Sequence, residues 1–207
     1  MRTVAAHRQF GREGGLRRIV LTGRMPLMAI HEDPEGHEVA ALGRMVRTDS
    51  WPMVRQAAIE ALFDRPGARG TLRAAIRDRS PRVRRAAIDA ATRAGDREAW
   101  PLIRARLEDD DEWPQVAIEA LRYVRELCVE EAGELVLRAL RRGLRPGAWA
   151  PDVDVAGVAV DLAMRLGGET AEQAARIAGR EDAPPAIRAI LARSQREPAR
   201  CTNAASR

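Results

Sequence analysis

The chain has 207 residues, 31% of them charged and only 3% aromatic, with a formal net charge of +5. That length suits one continuous domain, no apolar run approaches the roughly 20 residues of a membrane span, and two cysteines set no disulfide framework. The positive charge sits at the ends: residues 1–24 hold six Arg against one Glu and residues 193–207 four Arg against one Glu, whereas the 168 residues between hold 25 Arg and 28 acids, which argues against a broad polyanion-binding surface on the body.

In chain order, residues 1–27 come first, and Gly11, Gly14 and Gly15 interrupt any helix there. They read either as a flexible basic arm or as an extension ahead of a start at Met25 or Met28. They contain no apolar stretch of signal length, so a reduced, cytoplasmic setting is expected. His31 and His37 flank Glu32-Asp33-Pro34-Glu35. Histidine beside carboxylates can hold a divalent cation, but no third fixed ligand is spaced for it, and a solvated turn is the simpler reading. No metal or cofactor is expected.

The stretch from Asp49 to Ala61 is then written again from Asp78 to Ala90, 29 residues later. Asp49, Pro52, Val54, Arg55, Ala57, Ala58 and Ile59 return as Asp78, Pro81, Val83, Arg84, Ala86, Ala87 and Ile88. A fixed period of this size marks stacked helix pairs. Taking the Ile as anchor, later copies fall at Ile118 and Val160, the last after an insertion between Gly143 and Pro151. A terminal copy opens with Asp182, Pro185, Ile187 and Arg188. A second set of helices is expected between these, at 38–47, 68–78, 97–107, 130–143 and 169–179, where apolar residues recur at helical spacing. Pro66-Gly67, Gly95-Asp96 and Gly167-Gly168 supply the turns. Five helix pairs over residues 36–195 follow, with no segment alternating as a strand does. The boundaries expected are an extension at 1–27, a repeat domain at 28–195 and a flexible tail at 196–207.

The repeated Asp-x2-Pro-x-Val-Arg-x2-Ala-Ala pattern resembles the HEAT-repeat family, in particular its short bacterial members. The resemblance implies an all-α, right-handed α-solenoid. It also implies a ladder in which the Asp and the Arg six residues on tie successive turns together, here Asp49 with Arg55, Asp78 with Arg84 and Asp182 with Arg188. Ala117 and Ala156 fall near the Arg position, so the ladder is expected to lapse in the middle repeats. The function implied is a non-catalytic protein-interaction scaffold. Nucleic-acid binding, a DNA glycosylase-like activity or a bilin lyase-like enzyme subunit are the alternatives on the same kind of scaffold.

Candidate sites follow from the repeat. The residue after each anchor is acidic, giving Glu60, Asp89, Glu119 and Asp161 as one column on the inner helices. Tyr123, Arg93, Arg122 and Arg165 stand one turn on. Such a column suits a protein or peptide segment carrying basic residues, with Tyr123 as anchor; the plainer alternative is that each acid pairs with an Arg at i+4. Arg69, Arg73, Arg77 and Arg85 belong to the densest basic stretch and form a possible phosphate-contacting patch, against a solvated face with Arg84 in the ladder. The run Glu108 to Glu112 lacks the spacing of a calcium loop and reads as a helix cap before Pro114. Of the four Trp, Trp113 beside Asp111 is the pattern that the glycosylase alternative would use; Trp51 and Trp113 otherwise open helices. Cys128 reads as a packed thiol and Cys201 as a tail residue.

Overall fold

A computed structural model describes residues 26–196 and 201. Residues 26–32 are helical and bury Ile30 against the body. Helices α1 (Val39–Thr48), α2 (Pro52–Leu62), α3 (Arg69–Ala75), α4 (Pro81–Arg93), α5 (Trp100–Glu108), α6 (Pro114–Leu127), α7 (Gly133–Gly143), α8 (Ala150–Leu166), α9 (Gly168–Ala178) and α10 (Pro185–Arg196) follow. Short 3₁₀ turns at Arg97–Ala99 and Glu130–Ala132 lead into α5 and α7. The helices form two layers, with α1, α3, α5, α7 and α9 in one and α2, α4, α6, α8 and α10 in the other. Each packs on the partner of its pair and on its neighbour along the layer. The result is an α-solenoid with one continuous core.

The repeated sequence explains how each inner helix starts. Asp49 accepts a hydrogen bond from Trp51 N–H at 2.8 Å and Asp78 one from Ser80 N–H at 2.7 Å, so a carboxylate holds the turn just outside the helix. Pro then occupies the first turn of α2, α4 and α6, where its missing N–H costs nothing. Two residues further on come Val54, Val83 and Val116, each fully buried. Small Ala57, Ala58, Ala87 and Ala120 let neighbouring helices approach closely. Gly67 and Gly95 adopt positive φ in the turns, a conformation natural to glycine.

Burial also resets the register of the third copy. Val54 and Ile59, Val83 and Ile88, Val116 and Leu121, and Val155 and Val160 all lie five apart and are at most 1% exposed. The fully buried counterpart of Ile59 and Ile88 in α6 is therefore Leu121, whereas Ile118 is only partly buried. The expected anchor at Ile118 is one helical turn early. Helices α4 and α5 have 13 and 9 residues against 11 and 7 in α2 and α3, so this repeat is longer than the first and an anchor placed at Ile118 lands three residues short.

The ladder forms across repeats. Arg55, 2% exposed, reaches forward to both oxygens of Asp78 at 2.8 Å and back to the carbonyls of Asp49 and Ser50. Arg84 repeats this with Glu112, whose carboxylate is fully buried, and with the Asp78 carbonyl at 2.8 Å. The expected pairing of Asp49 with Arg55 and of Asp78 with Arg84 thus runs through backbone carbonyls, and the side-chain rung joins one repeat to the next. At the end of the array Asp182 pairs with Arg180, and Arg188 bonds the Glu181 carbonyl. Among the described residues no side-chain rung joins Arg188 to another repeat.

Candidate functional site

The exposed side of the inner layer carries a groove of about 630 Å³ across α2, α4 and α6. All its walls come from these three helices and the residues that open them, so the inner layer is concave here. Pro52, Met53 and Pro81 line it at the helix starts, with Trp113 at the start of α6. Met53 is 41% and Trp113 52% exposed, two large apolar side chains presented to one groove from α2 and from the start of α6. Glu60, Asp89 and Glu119 line the groove as well, together with Arg82, Arg85 and Arg122.

Three of the four expected column acids therefore meet in one groove, but as unequal members. Glu60 is exposed and accepts a hydrogen bond from Gln56 at 2.7 Å. Asp89 pairs with Arg93 at 2.8 Å. Glu119 is 2% exposed and lies 3.3 Å from Arg122 and 3.8 Å from Arg85. Burial pushes its carboxyl above the ordinary glutamate value, against the pull of Arg122, and Asp89 adds to the rise. The corrected register explains this difference. The residue after Leu121 is Arg122, so an arginine stands third in the column between Asp89 and Asp161, and Glu119 falls on the buried side.

Tyr123 is not available as an anchor. It is fully buried, its hydroxyl donates to the Asp96 carbonyl at 2.8 Å, and its ring stacks on Trp100 with 4° between planes. Burial, then Asp96, pushes its pKa up to about 12. In the corrected register it matches Ala90, itself fully buried. Asp161 stands outside the groove on α8. It binds Arg165 at 2.8 Å and accepts from Ser194 at 3.0 Å. Burial opposes its ionisation most, but the bonds from Arg165 and Ser194 prevail and hold its carboxyl below the ordinary range. The pairings at i+4 are thus made at Asp89–Arg93 and Asp161–Arg165. Arg93 also lies over the Phe63 ring at 3.9 Å, which joins α4 to the end of α2.

The basic stretch does not assemble into one patch. Arg69 and Arg73 lie on α3 in the outer layer, Arg77 just beyond it, and Arg85 in the groove. Arg73 is held by both oxygens of Asp96 and by Glu98, which keep its guanidinium firmly charged.

A second cleft, about 540 Å³, lies between the start of α6 and the connection that precedes α8. Asp111, Trp113 and Trp149 line it, and Trp149 is 60% exposed. Asp110 and Arg145 also line it, and Arg138, from outside the cleft, holds the Asp110 carboxyl below the ordinary range. Trp149 carried no repeat signal in the sequence, since it lies in the insertion. No cluster of three or more His, Cys, Asp or Glu that could hold a metal ion occurs among the described residues. None of the described helices is long and apolar enough to cross a membrane.

Residues 39–122 match the family model described as HEAT repeats. No curated protein and no solved structure matches the chain.

Proposed function

We propose, from the premise that residues 39–122 of this chain are HEAT repeats, that it is a non-catalytic adaptor whose inner groove docks a segment of a partner protein. HEAT repeats are commonly protein-interaction scaffolds. The observation that carries the reading is the groove itself: exposed Met53 and Trp113 beside Glu60, Arg82, Arg85 and Arg122, all on rigid helices. A segment with one apolar anchor flanked by basic and acidic residues fits such a surface. Trp113 takes the anchoring role that the buried Tyr123 cannot, and the charges set register and orientation. Of the groove's charges, Glu119 is engaged by Arg122 and Arg85, Asp89 by Arg93, and Glu60 and Arg82 by Gln56. The nucleic-acid alternative loses support because Arg73 is bound to carboxylates and Arg85 lies in the groove, apart from Arg69 and Arg77 at α3. Cytoplasmic localisation remains part of this reading.

The test compares partner recovery from native lysate by the full chain and two variants. Trp113→Ser combined with Arg82→Glu is expected to lose the partner with little change in melting temperature, because both side chains are exposed and neither contacts a buried carboxylate. Arg69→Glu, on the outer layer, is expected to keep it. Recovery that survives the groove variant overturns the reading.

A further inference from the structure

We propose that Cys128 and Cys201 form an oxidant-dependent disulfide that fastens the C-terminal segment to the end of α6 and encloses the last two helix pairs in one covalent loop.

Three observations place the thiols for this. Cys128 ends α6 in the left-handed region, with φ 47° and ψ 62°, and is 7% exposed. Glycine is the usual residue at such a cap, and a side chain there is sterically disfavoured. Cys201 is anchored on the same spot from the other end of the sequence. Its N–H donates to the Arg165 carbonyl at 3.1 Å, where α8 ends. Its thiol lies 3.8 Å from the Arg125 carbonyl, to which the Cys128 thiol donates at 3.7 Å. The two thiols thus share one acceptor, the Arg125 carbonyl. Both cysteines are free. The expected tail residue is thus part of the packed body, half-buried between the ends of α6 and α8.

The step needs a low-molecular-weight disulfide such as oxidised glutathione. One cysteine thiolate attacks a glutathione sulfur, breaks that S–S bond and releases one glutathione thiolate. The second cysteine thiolate attacks the mixed disulfide at the protein sulfur, forms the Cys128–Cys201 bond and releases the second glutathione. The two electrons lost by the protein thiols reduce the oxidant, and their two protons go to the released thiolates. Burial, with Cys128 adding to it, pushes the Cys201 thiol up to about 12. Closure should therefore be slow at neutral pH and accelerate as pH rises.

The loop so closed runs from the end of α6 through α10. It ties together the repeats in which Ala117 and Ala156 leave no arginine rung. A crosslink over a loop this long stabilises chiefly by restricting the unfolded chain.

The test treats the reduced full-length protein with oxidised glutathione at about pH 8, followed by non-reducing proteolysis and mass spectrometry. The expected result is a linked peptide pair containing Cys128 and Cys201 as the main product, reversed by dithiothreitol. The oxidised protein should melt higher by on the order of 5 °C. Cys201→Ser abolishes both effects. Cys128→Gly, which suits the left-handed cap and keeps α6 intact, abolishes them as well. Thiols that stay free, or that yield only glutathione adducts or intermolecular crosslinks, overturn the proposal. A linked protein that melts no higher than the reduced one overturns the loop's role in holding the last two pairs.

Discussion

Between α2 and α4, and again between α4 and α6, an inner-helix arginine ends on a buried or half-buried carboxylate belonging to the next repeat. Between α6 and α8 and between α8 and α10, no such arginine rung occurs among the described residues. The second region stacks by close approach. Gly143, the last residue of α7, lies so near α8 that an added Cβ would sit 2.1 Å from the Asp152 carbonyl oxygen and 2.6 Å from the Ala156 Cβ. Gly157 of α8 would meet Ile190 of α10 at 3.0 Å. The charged contacts that remain are of another kind: Arg142 of the outer α7 reaches Asp152 at 2.8 Å and the Glu112 carbonyl at 2.9 Å, and Asp161 of α8 accepts from the Ser194 hydroxyl of α10 at 3.0 Å. The difference teaches that one stacking problem has two solutions here. A long side chain can bridge a gap between inner helices, or the gap can be closed by removing side chains. The family match ends at residue 122, inside α6 and just past Ala117, the first inner helix without the arginine.

The largest effect is expected in the ladder. Asp78→Ala leaves Arg55 buried without its carboxylate and should destabilise by about 3 kcal/mol, read from urea unfolding followed by circular dichroism. A loss below about 1 kcal/mol would put this pair among ordinary surface ion pairs and remove the contrast between the two regions. Next comes close packing. Gly143→Ala should cost about 2 kcal/mol, because the new methyl meets backbone that cannot yield. Gly70 of α3, with nothing within 4 Å of an added Cβ, is its counterpart in the first region. Gly70→Ala should be neutral or stabilise by up to about 1 kcal/mol. Equal effects at the two glycines would show that α7 and α8 do not depend on their close approach.

The smallest effect concerns pH. Glu119 has a folded-state pKa raised above its ordinary 4.5, first by burial. A raised acid contributes stability that is fully present below the unfolded value and is lost as pH rises through the folded one. The wild-type protein should therefore gain stability from this residue as pH falls from neutral toward 4.5. Glu119→Gln should lack that component and stand closest to wild type at the acid end of the range. An identical pH profile for the two proteins would place Glu119 in a solvated setting like that of Glu60.

Much of this was legible in the sequence because it depends on short-range rules. Pro at a helix start, Asp two residues ahead of a free N–H and aliphatic residues at helical spacing act within a turn or two. They are enough to specify five helix pairs and to bring Glu60 and Asp89 onto one face. Arg55 and Arg84 could be singled out, but their side-chain partners could not, since Asp78 and Glu112 become neighbours only when repeats stack. The burial of Tyr123 and Glu119 was hidden for another reason. Ile118 and Leu121 are both aliphatic and one turn apart on the same helix, and local pattern cannot choose between them. Only the packing of α6 against α4 and α8 selects Leu121. That choice sends Tyr123 inward and turns Arg122 toward the groove. Sequence by itself determined the repeat, its helices and the chemistry available to each face. The tertiary structure decided which charged groups meet and which are buried, because those depend on distances between segments that the chain order leaves far apart.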